Sequence, residues 1–290
     1  MLTVATTTVA GVGLSHRPAP LNLWYAVQLL QYEPLRLFDG VAFSGPLLFT
    51  LLAHEMGHYW VARLWRIRTS WPFFVPMPVG LGTMGALIRL DNAQQDRRAM
   101  LEIGAAGPLV GFVVAFGFVL VGLGFSEIKT SQEMATFISL GGLQLPDSGA
   151  YALARWLVFG TLPPEREVVA HPIALAGWFG LYLTWFNLLP FGQLDGGHMA
   201  YAAWPRVSVG LSVVVLGACA ALGFGLRSPA WLAVGAGLLL LALMSGITHP
   251  PPPEGTATPG VRQRAVLVAC VLVFLLCFVA DPMLKSSRWG

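Results

Sequence analysis

A histidine-glutamate-histidine motif lies inside one of the most apolar stretches of this 290-residue chain. The sequence His54-Glu55-Met56-Gly57-His58 follows residues 41–53, which contain no charged side chain. On a helix, the HExxH spacing places two imidazoles one turn apart on one face, beside the glutamate. Such a pair can bind Zn²⁺, and the glutamate can act as general base toward a zinc-bound water. Because ionisable residues in a membrane segment are costly and by default indicate function, the motif predicts hydrolysis inside a bilayer.

The composition is typical of a membrane protein with several spans. Hydrophobic residues make up 56% of the chain and charged residues 11%, whereas soluble domains carry roughly 25% charged residues. The net charge of +3 is too small to indicate a nucleic-acid partner, so the expected surroundings are a lipid bilayer. Cys219, Cys270 and Cys277 lie in apolar runs without CxxC spacing, which favours small buried residues over a zinc-thiolate site or a disulfide.

Six stretches predict transmembrane helices, and the expected fold is therefore an all-α polytopic membrane protein. They are residues 41–64, 103–125, 172–190, 207–226, 230–247 and 264–280. We predict an N-terminal interfacial segment at 1–40, without the pattern of a cleavable signal peptide, and a membrane-embedded core at 41–247. Residues 248–290 are predicted to form a Pro-rich linker and a C-terminal span.

The connection between the first two predicted spans is as apolar as a span but cannot be a regular helix. Residues 71–90 contain three prolines and three glycines. Non-helical backbone at membrane depth is tolerated only where it is buried in protein or lines a wet cavity, so we predict a re-entrant loop ending in a strand near 83–90. The excess of arginine in 65–102 over 126–171 places 65–102 in the cytoplasm by the positive-inside rule. The longer loop contains an amphipathic stretch around Tyr151–Phe159.

A catalytic zinc requires a third protein ligand besides His54 and His58. Asp195 directly follows the third predicted span, whereas the two histidines lie toward the C-terminal end of the first. Odd-numbered spans run in the same direction, so both motifs reach the same side of the membrane at similar depth. We expect Pro190 and the Gly196-Gly197 pair to break the helix and let Asp195 turn inward.

The remaining histidines are weaker ligand candidates. We expect His16, His171 and His249 to be interfacial or loop residues, because a lone histidine near the end of a span usually has that role. His198 directly follows the aspartate motif, and we expect it to support the site structurally instead of binding zinc.

These motifs resemble those of the site-2 protease family of intramembrane zinc metalloproteases, peptidase family M50. HEMGH in one span and NLLPFGQLDGGH, residues 187–198, after a later span carry the resemblance. The segments PFFVPMP, GTMGALIRL and RRAMLEIGAAGPLVG resemble the branch that lacks an inserted PDZ domain. The resemblance covers residues 45–125 and 170–200.

The resemblance implies one Zn²⁺ per chain, bound by His54, His58 and Asp195. It assigns Glu55 as the general base that later passes its proton to the leaving amine, and it places Asn187 against the substrate or the oxyanion. It further implies a transmembrane protein as substrate. We expect a bacterial inner membrane as the location, with an organelle membrane of bacterial ancestry as the alternative. Arg63, Arg66 and Arg68, just beyond HEMGH, indicate that the active site lies toward the cytoplasmic side.

Cleavage of a transmembrane helix requires local unwinding, and the exposed backbone groups then need new hydrogen-bond partners. An edge strand of the enzyme can supply them by β-augmentation. We interpret Thr83–Leu90 as that edge, with Thr83 and Gly85 as substrate-binding residues, because glycines allow close backbone approach.

Three other functions fit the sequence less well. A membrane di-iron oxidase uses repeated clusters of histidine or glutamate ligands, whereas this chain has one histidine pair. A zinc transporter needs polar residues along a path through several spans, and the last three predicted spans hold almost none. A catalytically silent homologue acting as a chaperone is disfavoured by the intact Glu55.

Overall fold

In the described residues the protein is mostly helical and contains two small antiparallel sheets. The computed structural model describes residues 1–14, 28, 31–32, 34–77, 80–90, 96–140, 142–249, 257–280 and 282. In chain order its elements are α1 (Leu2–Leu14), a 3-10 turn (Pro34–Arg36), α2 (Leu37–Leu64), β1 (Phe73–Pro76), β2 (Thr83–Leu87), α3 (Arg97–Gly124), β3 (Glu127–Thr130), α4 (Ser131–Ser139), α5 (Gly149–Phe159), β4 (Arg166–Val169), α6 (Pro172–Asn187), α7 (Asp195–Ala203), α8 (Ser208–Gly225), α9 (Pro229–Ser245) and α10 (Val261–Cys277).

Helices α2, α3 and α6 form the centre of the molecule, where glycines let their backbones approach closely. A Cβ on Gly57 of α2 would lie 2.6 Å from the carbonyl oxygen of Ala106 on α3. A Cβ on Gly177 of α6 would lie 2.6 Å from the backbone nitrogen of Val119 on α3. Small residues at helix contacts are characteristic of membrane proteins, in which packing drives helix association.

Each of the six predicted spans coincides with a helix: α2, α3, α6, α8, α9 and α10. Among the described residues, Arg97–Gly124 and Ser208–Gly225 are the helices long and apolar enough to cross a membrane by themselves. Helices α6, α9 and α10 have 16 or 17 residues, short of the roughly 20 that a full span needs. The cysteines at 219, 270 and 277 are buried and unpaired.

The predicted strand near 83–90 is confirmed as β2, which pairs with β1 in an antiparallel hairpin. Phe73 faces Leu87 and Val75 faces Gly85, and the register shifts by one residue before Pro76. The hydroxyl of Thr6 on α1 donates to the carbonyl oxygen of Gly82 at 2.6 Å. Helix α1 therefore binds the hairpin next to its turn.

The first fourteen residues were not predicted to be helical, yet α1 forms there and packs along α2. The Thr8 and Ser44 hydroxyls are hydrogen-bonded at 3.1 Å. Gly11 and Gly40 lie where the two backbones cross, with no room for a Cβ on either residue. Much of the predicted interfacial segment, residues 15–27, 29–30 and 33, lies outside the described residues, as does His16.

The long connection 126–171 contains more structure than its sequence indicated. Its amphipathic stretch is confirmed as α5, whose N-cap Ser148 accepts from the backbone N–H of Tyr151. Strands β3 and β4, at opposite ends of the connection, pair with Glu127 facing Val169. Two four-residue strands so far apart give no local signal, because neither carries an alternating pattern long enough to identify. The Pro-rich stretch 250–256 lies outside the described residues.

Candidate metal centre

The two motif histidines lie on one face of α2 and point toward each other. The Nε2 atoms of His54 and His58 are 3.1 Å apart, and the ring centroids are 4.9 Å apart. Both side chains are buried, with 7% of His54 and 5% of His58 exposed. The sequence prediction of one face and one turn is confirmed.

Asp195 reaches the same point from a different part of the chain. Its Oδ2 lies 3.2 Å from Nε2 of His54, and its Oδ1 lies 3.3 Å from Nε2 of His58. Helix α6 ends at Asn187, a short turn follows, and Asp195 is the first residue of α7. The expected convergence of the two motifs therefore occurs.

The expected reason for the inward turn was wrong in one respect, because Gly196 and Gly197 do not break a helix. Both lie in the first turn of α7. Their role is space: a Cβ on Gly196 would overlap the Leu188 carbonyl, and a Cβ on Gly197 would overlap the carbonyl of Gly192. The pair thus lets the new helix begin against the turn that precedes it.

A backbone carbonyl from α3 orients His58. The Nδ1 atom of His58 lies 2.7 Å from the carbonyl oxygen of Ile103, so the N–H is on Nδ1 and donates to that oxygen. Nε2 is then left with its lone pair facing His54 and Asp195. A hydrogen bond of this kind fixes the tautomer and the ring orientation of a metal-binding histidine.

The donor set fits a zinc ion. One ligand atom from each of His54, His58 and Asp195 lies within 4.8 Å of the others. Two imidazole nitrogens and a carboxylate oxygen are ligands that zinc accepts, and three protein ligands leave one position open, as in catalytic sites.

Gly107 gives His58 the room it occupies. A Cβ at this position on α3 would overlap Nε2, Cδ2 and Cε1 of the imidazole. One turn further along, a Cβ on Gly111 would lie 3.0 Å from Nδ1 of His54. The sequence contains these glycines in GAAGPLVG. Their role depends on which helix packs against this part of α3, and the local sequence does not specify that helix.

Glu55 lies beside the histidines at the wall of a cavity of about 390 Å³. Its side chain is buried, with 9% exposed, and its carboxylate lies near the backbone of Ile88, just after β2. The cavity is lined by α2, by residues 84–88 of the hairpin and by Asn187, Asp195 and His198. The base candidate, the ligand candidates and a strand therefore share one space.

The three predicted substrate-binding residues are placed differently. The side-chain Nδ2 of Asn187 lies 3.4 Å from Nε2 of His54, and Gly85 lines the cavity with a φ of +114°. Thr83 is buried, does not line the cavity, and donates its hydroxyl to the carbonyl oxygen of Val75 at 3.0 Å. It also accepts from the N–H of Gly85 at 3.0 Å. Thr83 shapes the hairpin, and Gly85 and Asn187 face the space beside the histidines.

His198 lies outside the group of three ligand candidates, and its supporting role stays a prediction. Its Nδ1 lies 3.1 Å from Nε2 of His249, whose ring stacks on Tyr201 with centroids 4.7 Å apart. Burial, and then the neighbouring His198, lower the pKa of the His249 imidazole to about 4, so this ring is neutral at physiological pH. His249 was predicted to be an interfacial or loop residue. In the structure it follows α9 and contacts α7 through His198 and Tyr201.

A buried carboxylate on α3 that the sequence did not single out joins three parts of the chain. Glu102, with 7% exposed, accepts from Trp65 Nε1 at 3.0 Å and from Gln263 Nε2 at 2.7 Å. Arg262 pairs with the same carboxylate at 3.2 Å. The end of α2 and the start of α10 are thereby fixed to the residue next to Ile103, whose carbonyl orients His58.

An HExxH helix completed by an aspartate from a later helix, with the glutamate facing the same cavity, defines a metallopeptidase type of site. The chain belongs to peptidase family M50, whose family model matches residues 42–215. M50 is a membrane-associated family, and its zinc metalloproteases include the relatives described next.

Several plant proteins are similar to this chain. It is 31% identical over 236 residues to the protein named "Probable zinc metalloprotease EGY1, chloroplastic" of Oryza sativa subsp. japonica. This alignment covers 79% of this chain and 38% of the rice protein. It is 30% identical over 208 residues to "Probable zinc metalloprotease EGY2, chloroplastic" of Arabidopsis thaliana, covering 66% of this chain and 35% of that protein. The chain thus spans less than half the length of these relatives. No solved structure matches.

Proposed function

We propose that this chain is an intramembrane zinc metalloprotease that hydrolyses peptide bonds within or near transmembrane segments of other membrane proteins. The observation that carries the proposal is the convergence of His54, His58 and Asp195 beside Glu55 in one cavity. Membership in a family of zinc peptidases supports the reaction class. The apolar helices around the cavity support a substrate that arrives through the bilayer.

In this proposal His54, His58 and Asp195 hold the zinc. A zinc ion held there would supply Lewis acidity, which would polarise the scissile carbonyl and lower the pKa of water to about 7. Glu55 takes the proton of the attacking water and passes it to the leaving amine, so that no net proton is consumed. Asn187, at the end of α6 beside His54, donates its amide N–H to the substrate carbonyl oxygen.

We propose that α2, α3, α6, α8, α9 and α10 all lie in the membrane, with the hairpin re-entrant from the cytoplasmic side. The short helices can span where flanking side chains snorkel or the bilayer thins locally. Residues 41–247 then form the protease core, between an interfacial N-terminal segment and a C-terminal span after the Pro-rich linker. The inner membrane of a bacterium is the proposed location.

The first prediction tests the ligand set. Asp195→Ala in detergent-purified protein is expected to lose the single zinc that the wild-type chain binds. The loss in affinity should exceed the roughly 10–100-fold that removal of an outer-shell partner costs, because a direct ligand is gone. The measurement is zinc per chain by elemental analysis after dialysis.

Asp147→Ala is the matched control, since Asp147 is an exposed carboxylate that pairs with Arg155 within the connection 126–171. It should keep one zinc per chain. Full zinc in Asp195→Ala, or none in well-folded wild type, would show that the ligand set is misassigned.

We further propose that the substrate, once unwound, adds as a strand along β2. Residues 84–88 line the cavity, so the edge of β2 that does not pair with β1 faces the space beside the ligands. Gly85 places no side chain there, and a Cβ at this position would meet nothing within 4 Å. An incoming backbone therefore has room to approach.

The second prediction tests this edge. Gly85→Pro removes a backbone N–H and forbids the φ of +114° at this position. We expect cleavage to fall below detection while zinc per chain stays at one, because the ligands lie on other elements. Cleavage of a transmembrane substrate and zinc content are measured on the same preparation. Wild-type cleavage by this variant would remove β2 from the mechanism.

A further inference from the structure

A second cavity, of about 400 Å³, lies away from the metal centre, where the N-terminal ends of α3 and α10 meet the C-terminal end of α7. Its polar lining includes Arg97 and Arg264, and Trp204 forms part of its wall. Trp204 is 54% exposed and Arg264 is also exposed. The cavity is therefore at the surface of the molecule.

The lining of this cavity changes from charged to apolar along the axes of α3 and α10. Arg97 begins α3, and Leu101, one turn further along the same helix, also lines the cavity. Arg264 lies in the first turn of α10, and Leu267 follows it by three residues. Both helices run from this end into the apolar body of the protein. Both arginines thus lie at the polar rim, with a leucine below each of them.

The charge at the rim is not neutralised by carboxylates in the part of the chain that the structure describes. None of the ion pairs between described residues involves Arg97 or Arg264. The Arg97 guanidinium donates to the carbonyl oxygens of Ala202 and Ala203, which carry no net charge. Glu102, one turn below Arg98, is already bonded by Arg262 and other donors. A positive charge therefore remains over an apolar floor.

We propose that this cavity binds the phosphate headgroup of an anionic phospholipid. Arg97 and Arg264 bind the phosphate, and Leu267, which is partly exposed above the buried Leu101, contacts the start of an acyl chain. A volume of about 400 Å³ suits a headgroup with its glycerol, and basic pockets between helices on the cytoplasmic side bind such headgroups. The tryptophan at the rim is typical of the membrane–water interface. The apolar floor favours a lipid over free phosphate.

The proposal rests on the membrane placement given above but not on proteolysis. The full-length chain, freed of native lipid in a neutral detergent, is titrated with short-chain phosphatidylglycerol, and bound lipid is counted by native mass spectrometry. We expect saturable binding of one lipid to the wild type. Arg264→Gln should weaken that binding by about fivefold or more, from the loss of one basic contact near the headgroup.

Arg227→Gln is the matched control, because Arg227 is an exposed arginine in the turn after α8. Helix α8 has 18 residues and a length of roughly 27 Å, which places Arg227 at the other end of the molecule. This variant should bind phosphatidylglycerol as the wild type does. Zinc per chain, measured in every variant, reports on the metal centre separately.

Three outcomes would overturn the proposal. Equal binding by wild type and Arg264→Gln would exclude this cavity as the site. Equal binding of short-chain phosphatidylcholine would show that headgroup charge is not recognised. Displacement by millimolar inorganic phosphate would assign the cavity to free phosphate instead. A wild-type chain that binds the lipid but holds no zinc, or cleaves no transmembrane substrate, would instead count against the protease proposal alone.

Discussion

Glu55→Gln is expected to lower cleavage of a transmembrane substrate by about 10²–10⁴-fold, the usual contribution of general acid–base catalysis. The amide has nearly the shape of the carboxylate but cannot take a proton from water. Glu55 is not one of the three ligand candidates, so the variant should retain one zinc per chain. Cleavage and zinc content together therefore separate the base from the metal site.

Glu165→Gln serves as the control, because Glu165 is exposed in the turn before β4 and far from α2 in sequence. It should cleave as the wild type does. A substrate for the assay can be found by comparing the membrane proteomes of cells that carry wild type or Glu55→Gln. Full activity of Glu55→Gln would refute the assigned role, and so would loss of zinc from that variant.

Gly107→Ala is expected to weaken zinc binding by at least about tenfold, a loss comparable to that of an outer-shell partner. The added methyl group would occupy the position of the His58 imidazole, while the Ile103 carbonyl holds that ring from the other side. Either the ring turns away from His54 or α2 and α3 separate. Displacement of a reacting group by about 1 Å can cost 10²-fold in rate, so cleavage should fall further than zinc affinity does.

Other glycines of α3 provide a graded control. Gly111→Ala should have a smaller effect, since its Cβ would lie 3.0 Å from His54 Nδ1. Gly117→Ala should be neutral or stabilising, because its Cβ would meet nothing within 4 Å and alanine is favoured in helices by about 1 kcal/mol. Zinc affinity is measured by competition with a chelator and folding by thermal unfolding. Equal zinc affinity in all three variants would contradict the packing argument.

The ligand candidates could be predicted because each depends on a short stretch of sequence. HExxH spacing within one helix brings His54 and His58 together wherever that helix packs. Asp195 followed from the parity of the predicted spans, and its ligand role stays a prediction until zinc is measured. The strand at β2 was predictable because prolines and glycines exclude a helix there.

The packing around those residues could not be predicted. Three features depend on contacts between residues far apart in the chain. They are the packing of α1, the pairing of β3 with β4, and the hydrogen bonds that Glu102 accepts from Trp65, Arg262 and Gln263. The prediction that Gly196 and Gly197 end a helix was wrong, because glycine is required equally where a helix begins against another backbone. A glycine in the sequence does not specify which of these uses applies.

The sequence by itself determined the apolar helices, the family and the presence of a histidine pair beside a glutamate in one of those helices. These properties follow from local periodicity and from the free-energy cost of placing ionisable groups among apolar residues. Tertiary structure alone decided that Gly107 leaves space for His58, that β2 faces the cavity, and that Arg97 and Arg264 lie at the rim of a second cavity. Close approach of two backbones depends on both partners, and no single stretch of sequence contains both.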